Sequence, residues 1–276
     1  MLVSIPEPFD FELTVERIKA LGADRVNVLE NGALVRAISG GPVAARPANY
    51  GVTVEPGGEE ASALFEHVFG SHFDVAGFVG AVADHAALGP LVRQLAGLRP
   101  FLVPEPFEML VSSITAQQIS LRAALAVRNR FVERFGVRCG PVYAFPAAER
   151  VSQGSEDELR DLGFSRSKAR FVLEIARSDL DFDKTASLSD DSVVEQLTEL
   201  PGVGRWTAEW FLSRHLGRAD VWPAGDLGVR RACERFLTDG DPVDESRARA
   251  LGAQFAPRRT LACAYLLASL RRAAAA

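Results

Sequence analysis

The chain has 276 residues, of which 47% are hydrophobic and 24% are charged, and its formal net charge is −5. This length and composition predict a globular protein with a sizeable core and more than one domain. No stretch reaches the roughly 18 apolar residues of a membrane helix, and the acidic N-terminal residues do not form a secretion signal, so we expect a cytoplasmic protein with no membrane partner.

The cysteines, histidines and charges limit the cofactors and partners that the chain is expected to bind. Cys139, Cys233 and Cys263 are far apart and form no CxxC pair, and three thiolates are too few for an ordinary iron–sulfur cluster. The histidines show no metal-ligand spacing, so no catalytic metal is predicted. The acidic net charge argues against nucleic acid, but residues 205–276 hold more arginines than acidic residues, and a local basic face matters more than the sum.

Residues 1–72 predict a small α+β domain with an antiparallel sheet. Helical periodicity occurs at 13–21 and 61–69, and short runs of β-favouring residues occur at 26–29, 33–39, 43–46 and 50–54. The pairs Asn31-Gly32 and Gly40-Gly41 separate these runs and favour tight hairpins.

Residues 73–276 predict a mainly α domain, because apolar residues recur there at helical spacing. The breaks fall at Pro, Gly, Asn, Asp or Ser, and the predicted helices are 75–83, 89–96, 106–115, 120–135, 156–162, 165–179, 189–200, 205–216, 227–236, 245–255 and 259–272. The proline-rich segment 97–106 is expected to cross between two lobes, formed by about 104–220 and by 73–103 together with 221–276.

The segment Pro201-Gly202-Val203-Gly204 joins two of the predicted helices. Proline ends the first helix, and the glycines permit positive φ and leave the backbone uncovered. The amides of Val203, Gly204 and Arg205 would then point outward at a helix N-terminus and attract a phosphate, while the Val203 side chain turns inward. A bare GxG is usually an ordinary turn, but LPGVGR between two amphipathic helices is more specific.

Two tryptophans and an aspartate follow this turn. Trp206 and Trp210 are four residues apart and share one face of the helix. Core packing is an equal alternative for one of the two, since tryptophan is usually largely buried. Asp226 follows Pro223-Ala224-Gly225 and precedes a predicted helix, where the commonest role of an aspartate is that of an N-cap.

The hairpin, the phrase GRWTAEW at 204–210 and the aspartate after the Pro-Ala-Gly turn resemble the helix-hairpin-helix (HhH-GPD) superfamily of DNA glycosylases. Within it, GRWTAEW and the missing cluster cysteines most resemble the alkylation-repair branch, the AlkA-like 3-methyladenine DNA glycosylases, which also have an α+β domain before the helical part. The resemblance covers nearly the whole chain, and most of its specificity lies at 200–226. It implies a two-lobed helical domain with the helix-hairpin-helix at about 189–216.

The resemblance also implies a monofunctional enzyme. Such an enzyme flips an alkylated purine out of duplex DNA and hydrolyses its glycosidic bond in base excision repair, and we expect it to act as a monomer. Two alternatives remain: a glycosylase of the same superfamily for deaminated or oxidised bases, and a non-catalytic helix-hairpin-helix protein that only binds DNA.

Individual roles follow from the resemblance. The Asp226 carboxylate would stabilise an oxocarbenium-like sugar or orient the attacking water. Trp206 and Trp210 would line the pocket, because an electron-rich indole stacks well on a cationic methylated purine. The DNA backbone would lie on the hairpin residues, Gly202, Val203, Gly204 and Arg205.

A glutamine pair in 112-SSITAQQIS-120 is the candidate wedge. In the family this turn sends a side chain into the gap left by the extruded nucleotide, so Gln117 or Gln118 would occupy that gap. A solvated polar helix cap is the other interpretation. Downstream, Arg166, Lys168 and Arg170 form a basic cluster that would either contact phosphates or form a solvated face.

Lysine usage bears on the reaction. Superfamily members that also cut the strand use a lysine shortly before the hairpin to form a Schiff base. The corresponding helix, 189-SDDSVVEQLTEL-200, has no lysine, and the chain contains only Lys19, Lys168 and Lys184. No lyase activity and no cofactor are therefore expected, although a monovalent cation at the hairpin carbonyls is compatible with the sequence.

Overall fold

The computed structural model describes residues 1–39 and 41–275, so Gly40 of a predicted hairpin and the terminal Ala276 lie outside the described residues. An antiparallel sheet is built from β1 Leu2–Ser4, β2 Val28–Glu30, β3 Ala33–Ile38, β4 Gly41–Ala48 and β5 Gly51–Glu55, in the order β1-β5-β4-β3-β2. Asn31 and Gly32 join β2 to β3 with φ values of 50° and 74°, as a two-residue hairpin requires. Strand β1 was not predicted, because it forms by pairing with Thr53 and its neighbours far along the chain.

Two helices, α1 Phe11–Leu21 and α2 Glu59–Val68, pack on this sheet. The side chain of Asp10 starts α1 by accepting a hydrogen bond from the amide of Leu13 at 2.9 Å. Apolar residues of both helices meet alternate residues of the strands in one core, which includes Val3, Ile5, Phe11, Val15, Leu34, Val43, Ala45, Val52, Phe65 and Phe69.

The rest of the described chain is mainly helical, as the periodicity predicts. The helices are α3 Val75–Ala81, α4 Leu88–Gln94, α5 Pro106–Ala116, α6 Leu121–Phe135, α7 Ala148–Ser152, α8 Glu156–Asp161, α9 Arg166–Ala176, α10 Phe182–Ala186, α11 Asp190–Thr198, α12 Arg205–Arg214, α13 Leu227–Leu237, α14 Glu245–Gly252 with a 3₁₀ turn at Ala253–Phe255, and α15 Arg259–Ala275. The short helices α7 and α10 were not predicted.

One further element between the predicted helices 120–135 and 156–162 was not predicted. It is a hairpin of β6 Val137–Cys139 and β7 Val142–Ala144. Its strands are too short to show a period in the sequence. The hairpin is held by distant partners: Tyr143 donates its amide to the carbonyl of Arg25 at 2.7 Å, and Val142 packs against Ala33 and Val35 of β3.

The helical part has two hydrophobic cores. One core contains buried residues between Phe107 and Val221. The other combines buried residues between Phe73 and Leu102 with those between Trp222 and Ala268. The chain therefore passes from one core to the other twice, and the second passage, at Val221-Trp222, lies four residues before Asp226.

A buried ion-pair network ties the sheet to the helices. Arg36 of β3 donates to Glu108 of α5 at 2.7 Å, and Glu108 accepts from Arg128 of α6 at 2.6 Å. Arg128 also donates to Asp24 at 2.8 Å. Because Glu108 is only 1% exposed, its charge depends on these two guanidinium groups to replace the lost hydration.

Candidate active site

Asp226 lies at the start of α13, at the end of a buried segment. The indole N–H of Trp222, a residue 3% exposed, donates to the carbonyl of Ala248 at 2.9 Å and anchors this segment to α14. Asp226 is the N-cap of α13, as predicted, since its Oδ1 accepts from the amide of Val229 at 3.1 Å. The carboxylate is half-buried.

The indole groups of Trp206 and Trp210 both point at this carboxylate. Trp206 Nε1 donates to Asp226 Oδ2 at 2.9 Å, and Trp210 Nε1 donates to the same oxygen at 3.1 Å. Their spacing puts both side chains on one face of α12. Together with the bond from its own helix, the two indoles fix the orientation of the carboxylate within the protein.

The two tryptophans differ in their surroundings. Trp210 packs against both hydrophobic cores, and the guanidinium carbon of Arg214 lies 5.3 Å from its ring centre. Trp206 is half-buried and belongs to neither core as these are described for residues 1–39 and 41–275. Both tryptophans are half-buried, but Trp210 packs against the two cores, whereas no core contact is described for Trp206.

Three arginines that were not predicted from the sequence, Arg214, Arg271 and Arg17, lie within electrostatic reach of one another. Arg214 follows Trp210 by one helical turn, and burial lowers its pKa to about 9. Burial also lowers the pKa of Arg271 on α15 to about 10 and lowers that of Arg17 on α1, which lies within electrostatic reach of Asp226. The N-terminal domain thus contributes a cation near the site. In the sequence, Arg214 could have been found from its position four residues after Trp210, which puts both side chains on one face of the helix.

The loop between α11 and α12 is a tight hairpin, as predicted. Gly202 has a φ of +78°, and a Cβ at this position would collide with the Phe171 ring, so only glycine fits. The side chain of Val203 is 4% exposed and joins the core between the helices. The prediction of an outward amide at Val203 is wrong, because this N–H closes the turn by donating to the carbonyl of Leu200 at 3.1 Å.

The start of α12 leaves backbone donors uncovered. Gly204 is the N-cap without a side-chain bond, and across the described ranges the amides of Gly204 and Arg205 have no acceptor within the protein. Amides at a helix N-terminus bind anions well. The Arg205 side chain donates to Glu209 Oε1 at 3.0 Å, and Arg249 of α14 donates to the same oxygen at 3.1 Å. Glu209, which was not predicted, therefore orients Arg205.

The glutamine turn after α5 separates its two glutamines. Gln117 is the C-cap of α5, and its Nε2 donates to the carbonyl of Gly202 at 2.9 Å. Gln118 is exposed and has a φ of +58°. Gln117 is thus engaged inside the protein, whereas Gln118 stands at the outer end of the turn. The Gly202 carbonyl, a candidate cation ligand, already accepts one hydrogen bond.

Exposed apolar side chains adjoin the same residues. Ile119 is 41% exposed and Leu121 is 48% exposed, and both follow Gln118. Leu227, which directly follows Asp226, is 52% exposed. Single exposed apolar residues are common on protein surfaces, but these three border the glutamine turn and the carboxylate. The sequence does not predict a role for these residues, and only their position beside Gln118 and Asp226 points to them.

Further observations concern a buried tyrosine, metal ions and membranes. Tyr265 of α15 is fully buried and its hydroxyl donates to the carbonyl of Leu98 at 3.1 Å, so it belongs to the core. In the part of the chain that the structure describes, no group of three or more His, Cys, Asp or Glu side chains is arranged to hold a metal ion. Among residues 1–39 and 41–275, no helix combines the length and apolarity needed to cross a bilayer.

A family model described as "HhH-GPD superfamily base excision DNA repair protein" matches residues 111–256. These residues include the glutamine turn, the hairpin, both tryptophans and Asp226. The chain belongs to this superfamily. The mainly helical HhH-GPD fold with a preceding α+β domain, expected from the sequence, is confirmed.

The chain is similar to known DNA glycosylases in sequence and in fold. A solved 3-methyladenine DNA glycosylase from Archaeoglobus fulgidus is 28% identical, with a TM-score of 0.88 and 98% of both chains covered, so the likeness includes the N-terminal domain. DNA-3-methyladenine glycosylase 1 of Schizosaccharomyces pombe is 33% identical over 150 residues, which are 51% of this chain and 63% of that protein. A solved structure of the 3-methyladenine DNA glycosylase of Schizosaccharomyces pombe in complex with abasic DNA is 29% identical, with a TM-score of 0.58 and coverage of 64% of this chain and 88% of that chain.

Proposed function

We propose that this HhH-GPD protein is a monofunctional DNA glycosylase that extrudes alkylated purines of the 3-methyladenine type from duplex DNA and hydrolyses their N-glycosidic bond. The observation that carries the proposal is a half-buried carboxylate, Asp226, held by the indoles of Trp206 and Trp210. Membership of a base excision repair superfamily and similarity to 3-methyladenine DNA glycosylases support it.

Asp226 would act on the sugar of the extruded nucleotide. As the bond between C1′ and the base nitrogen breaks, its electron pair leaves with the base, and the sugar gains oxocarbenium character that a nearby carboxylate stabilises. Water then adds to C1′ and loses a proton to the carboxylate or to solvent. An N-alkylated purine already carries positive charge and leaves as a neutral base, so the reaction needs no strong general acid.

The surrounding residues would hold the DNA in the extruded state. The ring of Trp206 stacks on the cationic base. The exposed side chain of Gln118 fills the gap in the duplex and offsets part of the unstacking free energy, which is a few kcal/mol. The free amides of Gly204 and Arg205 bind a backbone phosphate. The reaction as proposed uses no cofactor, and every residue assigned a role in it belongs to one chain.

The reaction would stop at the abasic site. Strand cleavage through a Schiff base requires an amine beside C1′, but α11 carries no lysine, and the Lys168 ammonium is bound to backbone carbonyls. Borohydride added during turnover is therefore expected to trap no covalent protein–DNA adduct. A trapped adduct would refute the monofunctional assignment.

The decisive experiment measures base release from duplexes that carry 3-methyladenine, 7-methylguanine, ethenoadenine or hypoxanthine. Asparagine also caps helices well, so Asp226→Asn should fold and bind DNA, while release falls at least about 100-fold because the charge at the sugar is lost. Asp244→Asn is the matched control: Asp244 caps α14 through a bond of 2.8 Å from the amide of Arg247, outside the site.

Other results of this experiment would favour other assignments. Near-normal release by Asp226→Asn would refute its assignment as the catalytic residue. Release of hypoxanthine alone would favour an enzyme for deaminated bases. Binding of duplex DNA without release of any base would favour a non-catalytic helix-hairpin-helix protein.

A further inference from the structure

Lys168 binds the end of the helix that leads into the glutamine turn. It lies in the first turn of α9, and its Nζ donates to the carbonyls of Thr115 at 3.0 Å and Gln117 at 2.6 Å. Both carbonyls belong to the C-terminal end of α5, where carbonyls lack intrahelical donors and where the helix dipole favours a cation. The ammonium group therefore caps α5 from a neighbouring helix.

The same turn is joined to the hairpin on its other side. Gln117 Nε2 donates to the carbonyl of Gly202 at 2.9 Å and lies 3.4 Å from Oγ1 of the buried Thr207. Helix α9 supports the hairpin directly, because the Phe171 ring fills the space beside Gly202. Lys168 and Phe171 are three residues apart and share a face of α9. This face thus holds the glutamine turn and the hairpin at a set separation.

Gln118 directly follows the carbonyl that Lys168 binds. Its φ of +58° lies in the left-handed region, which is unfavourable for a residue other than glycine. A strained, exposed turn keeps one conformation only when the surrounding bonds over-determine it. Lys168 supplies such bonds before Gln118, and Ser120, whose Oγ accepts from the amide of Ala123 at 3.2 Å, anchors the chain after it.

We propose that Lys168 is a positioning residue for base extrusion, which sets the distance between the wedge residue Gln118 and the phosphate-binding hairpin without contacting DNA itself. This inference rests on the proposed glycosylase function. Burial lowers the pKa of Lys168, as expected for an ammonium group partly withdrawn from solvent. A lysine that neutralises a phosphate releases counterions and steepens the salt dependence of binding. A lysine bonded to carbonyls does not, so the two roles can be separated.

The test compares Lys168→Met with Lys184→Met, the same change at an exposed lysine of α10 outside the site. Wedge insertion is followed by the fluorescence of 2-aminopurine beside a stable abasic analogue, and base release by single-turnover kinetics on 3-methyladenine duplexes. Lys168→Met is expected to reduce the fluorescence change and to lower the saturating release rate by about 10- to 100-fold, because a misplacement of about 1 Å is enough for such a loss. The salt dependence of binding should stay at the wild-type slope. Lys184→Met should match the wild type in every measurement.

A second variant keeps the test independent of folding. Gln117→Met breaks the other end of the same bridge and should reproduce the loss, and the double variant should be little worse than either single variant, since both residues act on one turn. Thermal melting checks that each variant is folded, and if Lys168→Met unfolds early, Gln117→Met carries the comparison.

Two results would overturn the positioning role. One is a Lys168→Met variant with an unchanged saturating release rate, in which the slope of log binding constant against log salt concentration is about 0.9 smaller in magnitude than in the wild type. That result identifies a phosphate contact. The other is wild-type fluorescence and wild-type release in folded Lys168→Met. Failure of the wild-type protein to release any base would instead refute the glycosylase function, and the fluorescence and salt measurements on the abasic duplex would still test the positioning role.

Discussion

The indole N–H of Trp206 donates to Oδ2 of Asp226 at 2.9 Å, so the side chain expected to stack on the base also orients the carboxylate expected to act on the sugar. Trp210 makes a second bond to the same oxygen, but its ring is packed between two hydrophobic cores. Two similar hydrogen bonds therefore have different surroundings, and substitutions should separate a role in the reaction from a role in the fold.

Phenylalanine at each tryptophan position removes the N–H donor while keeping an aromatic ring. Trp206→Phe should lower the single-turnover release rate about 10-fold or more, since a hydrogen bond to a charged group contributes about 1.5–3 kcal/mol, with little change in the free energy of unfolding. Trp210→Phe should also lower the free energy of unfolding by about 1–3 kcal/mol, because it leaves a cavity between the cores. Urea denaturation and release kinetics measure both quantities, and identical effects of the two substitutions would contradict the division of roles.

Alanine at the two hairpin glycines should separate stability from DNA binding. Gly202→Ala places a Cβ against Phe171 at a φ of +78° and should lower the free energy of unfolding by about 2 kcal/mol or more. At Gly204, with a φ of −94°, a Cβ meets nothing within 4 Å, so Gly204→Ala should cost at most about 1 kcal/mol. The new methyl group would nevertheless crowd the phosphate and weaken duplex binding. Equal losses of stability in the two variants would show that the Phe171 contact is unimportant.

Removing the charge of Glu108 should loosen the N-terminal domain. Glu108→Gln leaves Arg36 and Arg128 buried without their shared carboxylate, and the free energy of unfolding should fall by about 3 kcal/mol or more. Glu133→Gln is the matched control at the exposed Arg25–Glu133 pair, where the expected loss is below about 1 kcal/mol. Chemical denaturation measures both, and a loss below 1 kcal/mol for Glu108→Gln would show that the network does not hold the domain.

Acid should destabilise the protein through His67, at the end of α2. Burial, followed by the charges of His215 and His72, lowers the pKa of His67 from 6.5 to about 4. Between these values the unfolded chain binds a proton that the folded protein does not, so the free energy of unfolding falls as the pH drops from 6.5 towards 4, by at most about 3 kcal/mol. Below pH 4 this contribution stays constant. Denaturation curves recorded across this range give the free energy of unfolding at each pH, and it should depend less on pH for His67→Gln than for the wild type. An unchanged pH dependence would exclude His67 as the cause.

Features that depend on a few neighbouring residues could be predicted from the sequence. The Asn31-Gly32 hairpin, the inward Val203 and the Asp226 cap follow from backbone freedom and side-chain chemistry within one turn. Elements that form through distant partners could not be predicted. Strand β1 and the β6–β7 hairpin exist because they meet β5 and β3, and their three-residue strands carry too few residues to show a period.

The sequence by itself determined which chemical groups stand at the starts of α12 and α13, and only the tertiary structure decided which atoms meet. Gln117 and Gln118 are identical neighbours in the sequence, yet a carbonyl 85 residues away binds the first amide and leaves the second exposed. Trp206 and Trp210 are likewise equivalent in the sequence, yet only Trp210 packs against both cores as these are described for residues 1–39 and 41–275. A hydrogen bond requires atoms placed within a few tenths of an ångström. Spacing along a helix fixes only the face on which a side chain lies, whereas the packing of α5, α9 and α12 sets the distance.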